Sequence, residues 1–362
     1  MVKHLKVIDP HVHFRWEEYP DNNYLKLGFE HAKAVGICAV VEQPNTKPGL
    51  ENLDAIKKRT ELADGYRGDI KHRIHIGLTN NRDQVRQALC AVMDGAYGLR
   101  SCKTFLSDST GDTGVKHWDD HKMIWDEVAD IGYNRIWKAH FENENLFVGT
   151  FDPKDPITHS FHRPETSETT QFEAQARLAY DARFQGTMYV AHVSSTDTVD
   201  LAKNLRKFVP FEIVLETTWH HMFLNWNDYK YHGNNVKMNP PLRSPEQQEK
   251  HLEYVLRGEF QVIGGDHAPH TPERKQHAEK PASGVPTLIF IPKGIERLQK
   301  HGINEAILNN MLFHNANRLF EFGIRPQEVE TRYDPSLWVP YGYNPFARID
   351  GSGEHLKLVH TR

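Results

Sequence analysis

Short apolar, β-branched runs alternate with longer stretches of helical period along most of the chain. The runs predict strands over 5–9 (LKVID), 37–42 (ICAVVE), 73–78 (RIHIGL) and 98–105 (GLRSCKTF). Four more follow at 135–141 (RIWKAHF), 187–193 (TMYVAHV), 212–218 (EIVLETT) and 260–266 (FQVIGGD). Between them lie amphipathic stretches such as YLKLGFEHAKAVG, LDAIKKRTELADG and RDQVRQALCAVMDG. Each ends in glycine, which enters the left-handed conformation of a helix end without steric cost. Strands that alternate with helices predict parallel βα units. Eight such units predict a closed (β/α)8 TIM barrel, an α/β fold, over residues 1–324. Residues 325–362 are rich in turn residues and aromatics and are expected to form a C-terminal extension packed on the barrel.

The polar residues at the strand ends then matter most, because a barrel of this kind builds its site at the C-terminal face. At or just after the predicted ends stand His11 and His13, Asn45, Lys103, His140, His192, His220 and His221, and Asp266. Only the third strand ends plainly. A chance scatter of the 23 histidines would not follow the strand ends in this way.

In DPHVHFR the two histidines are two apart, so on an extended backbone both imidazoles point to one side and can reach one cation. Taken alone, H-x-H is a weak signal that reads more readily as a pair of surface histidines. Arg15 follows on the same side, with a planar fork suited to a carboxylate. Lys103 alone reads as a lysine with a buried stem and a solvated head. Pointed into a cation cluster, its ammonium would be repelled. Its amine becomes useful there once carbon dioxide adds to it as a carbamate, an anion able to bridge two metals. Asp108 and Asp112 are the alternative bridging carboxylates. His140 and His192, each alone, would read as hydrogen-bonded core histidines; at equal depth in successive strands they read as ligands. Asp266 could open an ordinary Asx-turn, but DHAPH is unusually polar for that. The set is four histidines, one lysine and one aspartate. Nitrogen and oxygen donors suit two Zn2+ ions, with Mn2+, Co2+ or Fe2+ at the same positions. The chemistry favoured is hydrolysis, or the reverse condensation, at an amide, ester or phosphoester.

Composition narrows the surroundings. Lys plus Arg is 44 against 48 for Asp plus Glu, a net charge of −4, which argues against a nucleic-acid surface. No apolar run is long enough to span a membrane, and MVKHLKVIDP lacks a signal-peptide core. Cys38, Cys90 and Cys102 make no paired framework, so a reducing, cytoplasmic setting is expected.

The motifs together resemble the amidohydrolase superfamily and, within it, the dihydroorotase family, over most of the chain. DPHVHFR is similar to the family's H-x-H-x-R, QPNTKP (43–48) to its M-P-N-T-x-P, and KTFLSDSTGD to the segment with the carboxylated lysine. LETTWHHMFLNWNDY (215–229), KMNPPLRS (237–244) and DHAPHTPERK (266–275) follow in the family order. The resemblance implies that His11, His13 and Asp266 hold the more buried metal, His140 and His192 the more exposed one, and carboxylated Lys103 both. It implies Asp266 as acid and base, Arg15, Asn45 and His270 on a substrate carboxylate, and Asn239 at a pyrimidine edge. The implied reaction joins N-carbamoyl-L-aspartate and L-dihydroorotate in pyrimidine synthesis. A neutral cyclic amide is the alternative substrate, as for a dihydropyrimidinase, hydantoinase or allantoinase. A non-catalytic subunit beside aspartate transcarbamoylase is a further alternative, although all six ligands are kept. A homodimer is expected. Gln43, Asn143 and Thr287 depart from the family pattern without touching a ligand. Many relatives carry a β-sandwich built from both termini. With the first motif at residue 9, no N-terminal β-sandwich is expected. The segments 108–118 and 270–285 are the candidates for a closing loop.

Overall fold

The computed structural model describes residues 1–15, 23–108 and 114–351; Asp112 and the end of the C-terminal extension lie outside them. The β-branched runs form the strands β1 (Val2–Leu5), β2 (Val7–Val12), β3 (Ile37–Glu42), β4 (Lys71–Ile74), β5 (Ile76–Gly77) and β6 (Ser101–Phe105). They continue as β7 (Ile136–His140), β8 (Thr187–Val190), β9 (Glu212–Thr218), β10 (Val262–Gly264) and β11 (Glu328–Thr331). From β2 to β4 and from β5 to β10 each strand pairs in parallel with the next. His75 alone separates β4 from β5, and a parallel bridge from Val12 to His267 joins the end of the series to its beginning. Pairing therefore runs once around a ring in sequence order.

Every residue of β2, β6 and β7 is buried, as expected of parallel strands covered on both faces. The outer face meets helices whose first turns are capped as their sequences dictate. Asn52, Asn81, Ser195 and Ser244 each accept a backbone N–H at a helix N-terminus. Among the described residues, no helix is long and apolar enough to cross a membrane.

A short strand precedes the ring: β1 pairs antiparallel with β11, so Val2–Leu5 and Glu328–Thr331 form a two-stranded ribbon. Four residues are too few for a clear alternation, and the partner stands more than 300 residues away, so no local pattern announces the pairing. Beyond it, Trp338 and Tyr341 are buried, and Phe346 stacks on Phe290 with ring centroids 4.0 Å apart.

The first motif is held by a buried ion pair. Glu42 at the end of β3 takes Arg59 Nε at 3.1 and 3.2 Å and lies 3.0 Å from His72 Nε2. The same guanidinium donates to the carbonyl of Phe14. Burial alone would raise the Glu42 carboxyl, but Arg59 and His72 outweigh it and bring it to about 2 from an ordinary 4.5. The stability this contributes is present above about 4.5 and is lost as pH falls towards about 2. Urea titrations from pH 6 to 2.5 should show the midpoint falling below pH 4.5 in the native chain and falling less in Glu42→Gln. Arg59→Met, which strands the carboxylate, should cost about 3–5 kcal/mol at neutral pH. Equal acid sensitivity of native and Glu42→Gln chains would remove this pair from the account.

Candidate metal centre

His11 and His13 leave the end of β2, and Asp266 follows β10 by two residues. The ring bridge between those ends brings them together: one ligand atom from each lies within 4.8 Å of the others, and all three residues are buried. Nε2 of His11 stands 3.2 Å, and Nε2 of His13 3.1 Å, from Asp266 Oδ1. The other ring nitrogen of each is engaged. His11 Nδ1 is 2.5 Å from Glu216 Oε1, and His13 Nδ1 is 2.8 Å from Asn45 Oδ1. Oxygens that can only accept hold the ring protons on Nδ1, so both Nε2 atoms offer lone pairs. Burial, reinforced by Lys138 at His11 and by Arg15 at His13, holds both imidazoles well below the usual histidine range, and so neutral. Two lone pairs then face a carboxylate oxygen. That arrangement is repulsive by itself and becomes favourable around a cation.

A second pair lies alongside. His140 Nε2 is 2.6 Å from Glu142 Oε2, and Arg163 grips Glu142 at 3.0 and 2.6 Å. The proton of His140 is thereby placed on Nε2, and its Nδ1 lies 3.0 Å from His192 Nε2. His192 Nδ1 is buried without a hydrogen-bond partner among the described residues. Lys103 on β6 is fully buried, its Nζ likewise has no partner, and burial together with Lys138 holds it well below the usual lysine range. A buried lysine amine with no hydrogen-bond partner among the described residues, close to imidazoles with bare nitrogens, fits a site for divalent metal.

The chain is shaped to allow this. A Cβ on Gly264 would lie 2.6 Å from Glu216 Cδ, and one on Gly265 would collide with the Asp9 carboxylate. Gly265 N–H instead donates to Asp9 at 2.8 Å. His192 (φ 36°) and Asp266 (φ 46°) both take the left-handed conformation, costly for residues with a Cβ and characteristic of functional turns. Burial raises the Asp266 carboxyl to about 6, with His220, 3.9 Å away, pulling in the opposite direction.

The residues expected to bind substrate divide. Arg15, Asn45 and Asn239 line the same cavity as His11, His13, His140, His192 and Asp266. His270 is buried beside it, its Nε2 2.9 Å from the Ser283 carbonyl. Asn239 Oδ1 lies 2.9 Å from His159 Nε2 and accepts from Ser283 Oγ at 3.2 Å. Asp108 is on the cavity rim, paired with Lys116, whereas His221 serves the scaffold, 3.0 Å from Thr218 Oγ1 and 3.2 Å from the Pro240 carbonyl. Sequence reading missed Glu216, Lys138, Glu142, Arg163 and His159. A signal was available for two of them: Lys138 and Glu216 are charged residues inside otherwise apolar strands, at alternate positions shared with His140 and Thr218.

No family model matches the chain. It is 29% identical over 290 residues to a dihydroorotase from Halobacterium salinarum, covering 77% of this chain and 63% of that protein. It is 26% identical over 344 residues to a dihydroorotase from Methanosarcina mazei, covering 92% of this chain and 73% of that protein. Its fold is similar to that of a dihydropyrimidinase from Brevibacillus agri, with TM-score 0.75 and 20% identity, over 92% of this chain and 74% of that one. It is also similar to the fold of a dihydroorotase from Saccharomyces cerevisiae in complex with 5-fluoroorotic acid, with TM-score 0.72 and 17% identity, over 88% and 85% of the two chains. Dihydroorotases recur at 25–29% identity over most of its length, so the chain is dihydroorotase-like in sequence, and it spans 60–81% of the length of those relatives.

Proposed function

We propose that this chain is a dihydroorotase, interconverting N-carbamoyl-L-aspartate and L-dihydroorotate at the C-terminal mouth of a (β/α)8 barrel. One observation carries the reading. The buried Arg15 lies on the wall of the cavity that the metal-capable residues line, so a carboxylate reader and a hydrolytic centre face one small molecule.

His11, His13 and Asp266 would hold one zinc ion and His140 and His192 another, with Lys103 shared by both as its carbamate. Such ions supply polarisation of an amide carbonyl and lower the pKa of water towards ~7. The carbamate would form when the unprotonated Lys103 amine attacks carbon dioxide: an N–C bond is made as one C=O π pair moves onto oxygen, and the nitrogen's proton is taken up by solvent. Asp266 takes the proton of the attacking water and delivers it to the departing ring nitrogen, so the same carboxyl serves the reaction in both directions. Arg15 pairs through its fork with the substrate carboxylate, and the amides of Asn45 and Asn239 meet its polar edge.

A neutral cyclic amide would leave the Arg15 charge without its substrate partner. Arg15→Met should therefore lower kcat/KM for dihydroorotate by ~100-fold or more, while slow turnover of dihydrouracil and hydantoin stays within a few-fold. A parallel loss on all three substrates would remove the carboxylate role. Elemental analysis of the purified chain should find close to two zinc ions, with dihydroorotate hydrolysis lost on chelation and restored by zinc. One zinc per chain would overturn the shared Lys103 ligand and leave the substrate assignment standing.

A further inference from the structure

The ring interior holds a charge pair that the reaction itself does not use. Lys138 on β7 and Glu216 on β9 are both fully buried, with Nζ 2.9 Å from Oε2. Lys138 also donates to the Pro10 carbonyl on β2 at 3.0 Å. Glu216 is filled from several directions. Tyr189 on β8 donates its hydroxyl to Oε2 at 2.7 Å. Oε1 accepts the His192 backbone N–H at 2.9 Å and lies 2.5 Å from His11 Nδ1. One carboxylate thus touches a candidate ligand of each half of the metal centre: the ring of His11, and the backbone of His192 where it enters its left-handed turn.

Lys138 is also the register partner of Lys103 across β6 and β7. The two lysines share burial and depth but differ in their partners. Lys138 donates to a carboxylate and a carbonyl, whereas Lys103 Nζ has no hydrogen-bond partner among the described residues. An ammonium held in this way cannot rotate towards the ligands, and its charge compensates a carboxylate that would otherwise be buried alone.

We propose that Lys138 is a positioning residue for the metal centre: by pairing with Glu216 it fixes that carboxylate against His11 and His192 and so sets a ligand of each half. The inference rests on the metal-binding reading of the site, which the zinc content of the native chain tests separately.

The test compares Lys138→Met, Glu216→Gln and the double variant with the native holo protein. Zinc release to a competing chelator is the readout, with folding followed by circular dichroism. Each single variant should weaken zinc binding by ~10–100-fold. The double variant should be no weaker than the poorer single one, because the two substitutions break one unit. In the variants that still turn over, KM for dihydroorotate should stay within a few-fold while kcat follows zinc occupancy. Native-like zinc retention in Lys138→Met, or losses that multiply in the double variant, would overturn the proposal. Should Lys138→Met fail to fold, Tyr189→Phe removes a donor to the same oxygen and keeps the ring. A loss of roughly 3–10-fold in zinc affinity is then expected, and native affinity would overturn the proposal equally.

Discussion

Inside a dry protein, lone pairs aimed at one point repel one another until a cation arrives, so the rest of the structure has to hold them there. His11 Nε2, His13 Nε2 and Asp266 Oδ1 stand in that relation, at 3.1 and 3.2 Å. Three further residues maintain it: Glu216, Asn45 and Glu142 occupy the opposite nitrogens of His11, His13 and His140 and so decide which nitrogen is bare. The demand then passes outward. Glu142 is held by Arg163, Glu216 by Lys138 and Tyr189, and the segment carrying His11 and His13 by Arg59 through the Phe14 carbonyl. Even Gly264 belongs to this chain of constraints, because its missing side chain is the space that Glu216 occupies.

Much of this was legible in the sequence, for a physical reason. Parallel strands buried on both faces need uninterrupted β-branched runs, so the strands could be read directly. The candidate ligands His11, His13, His140, His192 and Asp266 stand at or just after those runs, so position alone singled them out. The pairing of β1 with β11 could not, since it joins two four-residue segments from opposite ends of the described chain. Glu142 stands two residues from a ligand and its partner Arg163 twenty-one further on, a separation that no local period marks. His270, expected at the substrate, stands with its Nε2 2.9 Å from the Ser283 carbonyl, a contact that no sequence pattern marks.

The two turns that deliver His192 and Asp266 show how the fold sustains a costly geometry. Each residue carries a Cβ in the left-handed region, a strain of about 1–3 kcal/mol. At His192 the backbone N–H that this turn exposes is taken by Glu216, and the N–H groups of Ser194 and Ser195 are taken by Glu168. At Asp266 the approach is set by Gly265, whose N–H goes to Asp9. The two candidate ligands therefore project from turns whose backbone donors are taken up by buried carboxylates.

Lys103 and Lys138 show where residue type stops being informative. Both are lysines at the same depth in neighbouring strands, directly opposite in register, and both are fully buried. Burial pushes both below the usual lysine range, so burial alone does not separate them. What separates them is hydrogen bonding. A carboxylate at 2.9 Å and a carbonyl at 3.0 Å both favour Lys138 as the ammonium, which has no lone pair for covalent chemistry. Lys103 Nζ has no hydrogen-bond partner among the described residues, and on the proposed reading it is the nitrogen that takes up carbon dioxide. The distinction is set by Glu216, which contributes from two strands away. The residue that, on the proposed reading, decides which lysine can react is therefore neither of the lysines, and only the folded ring brings the three together.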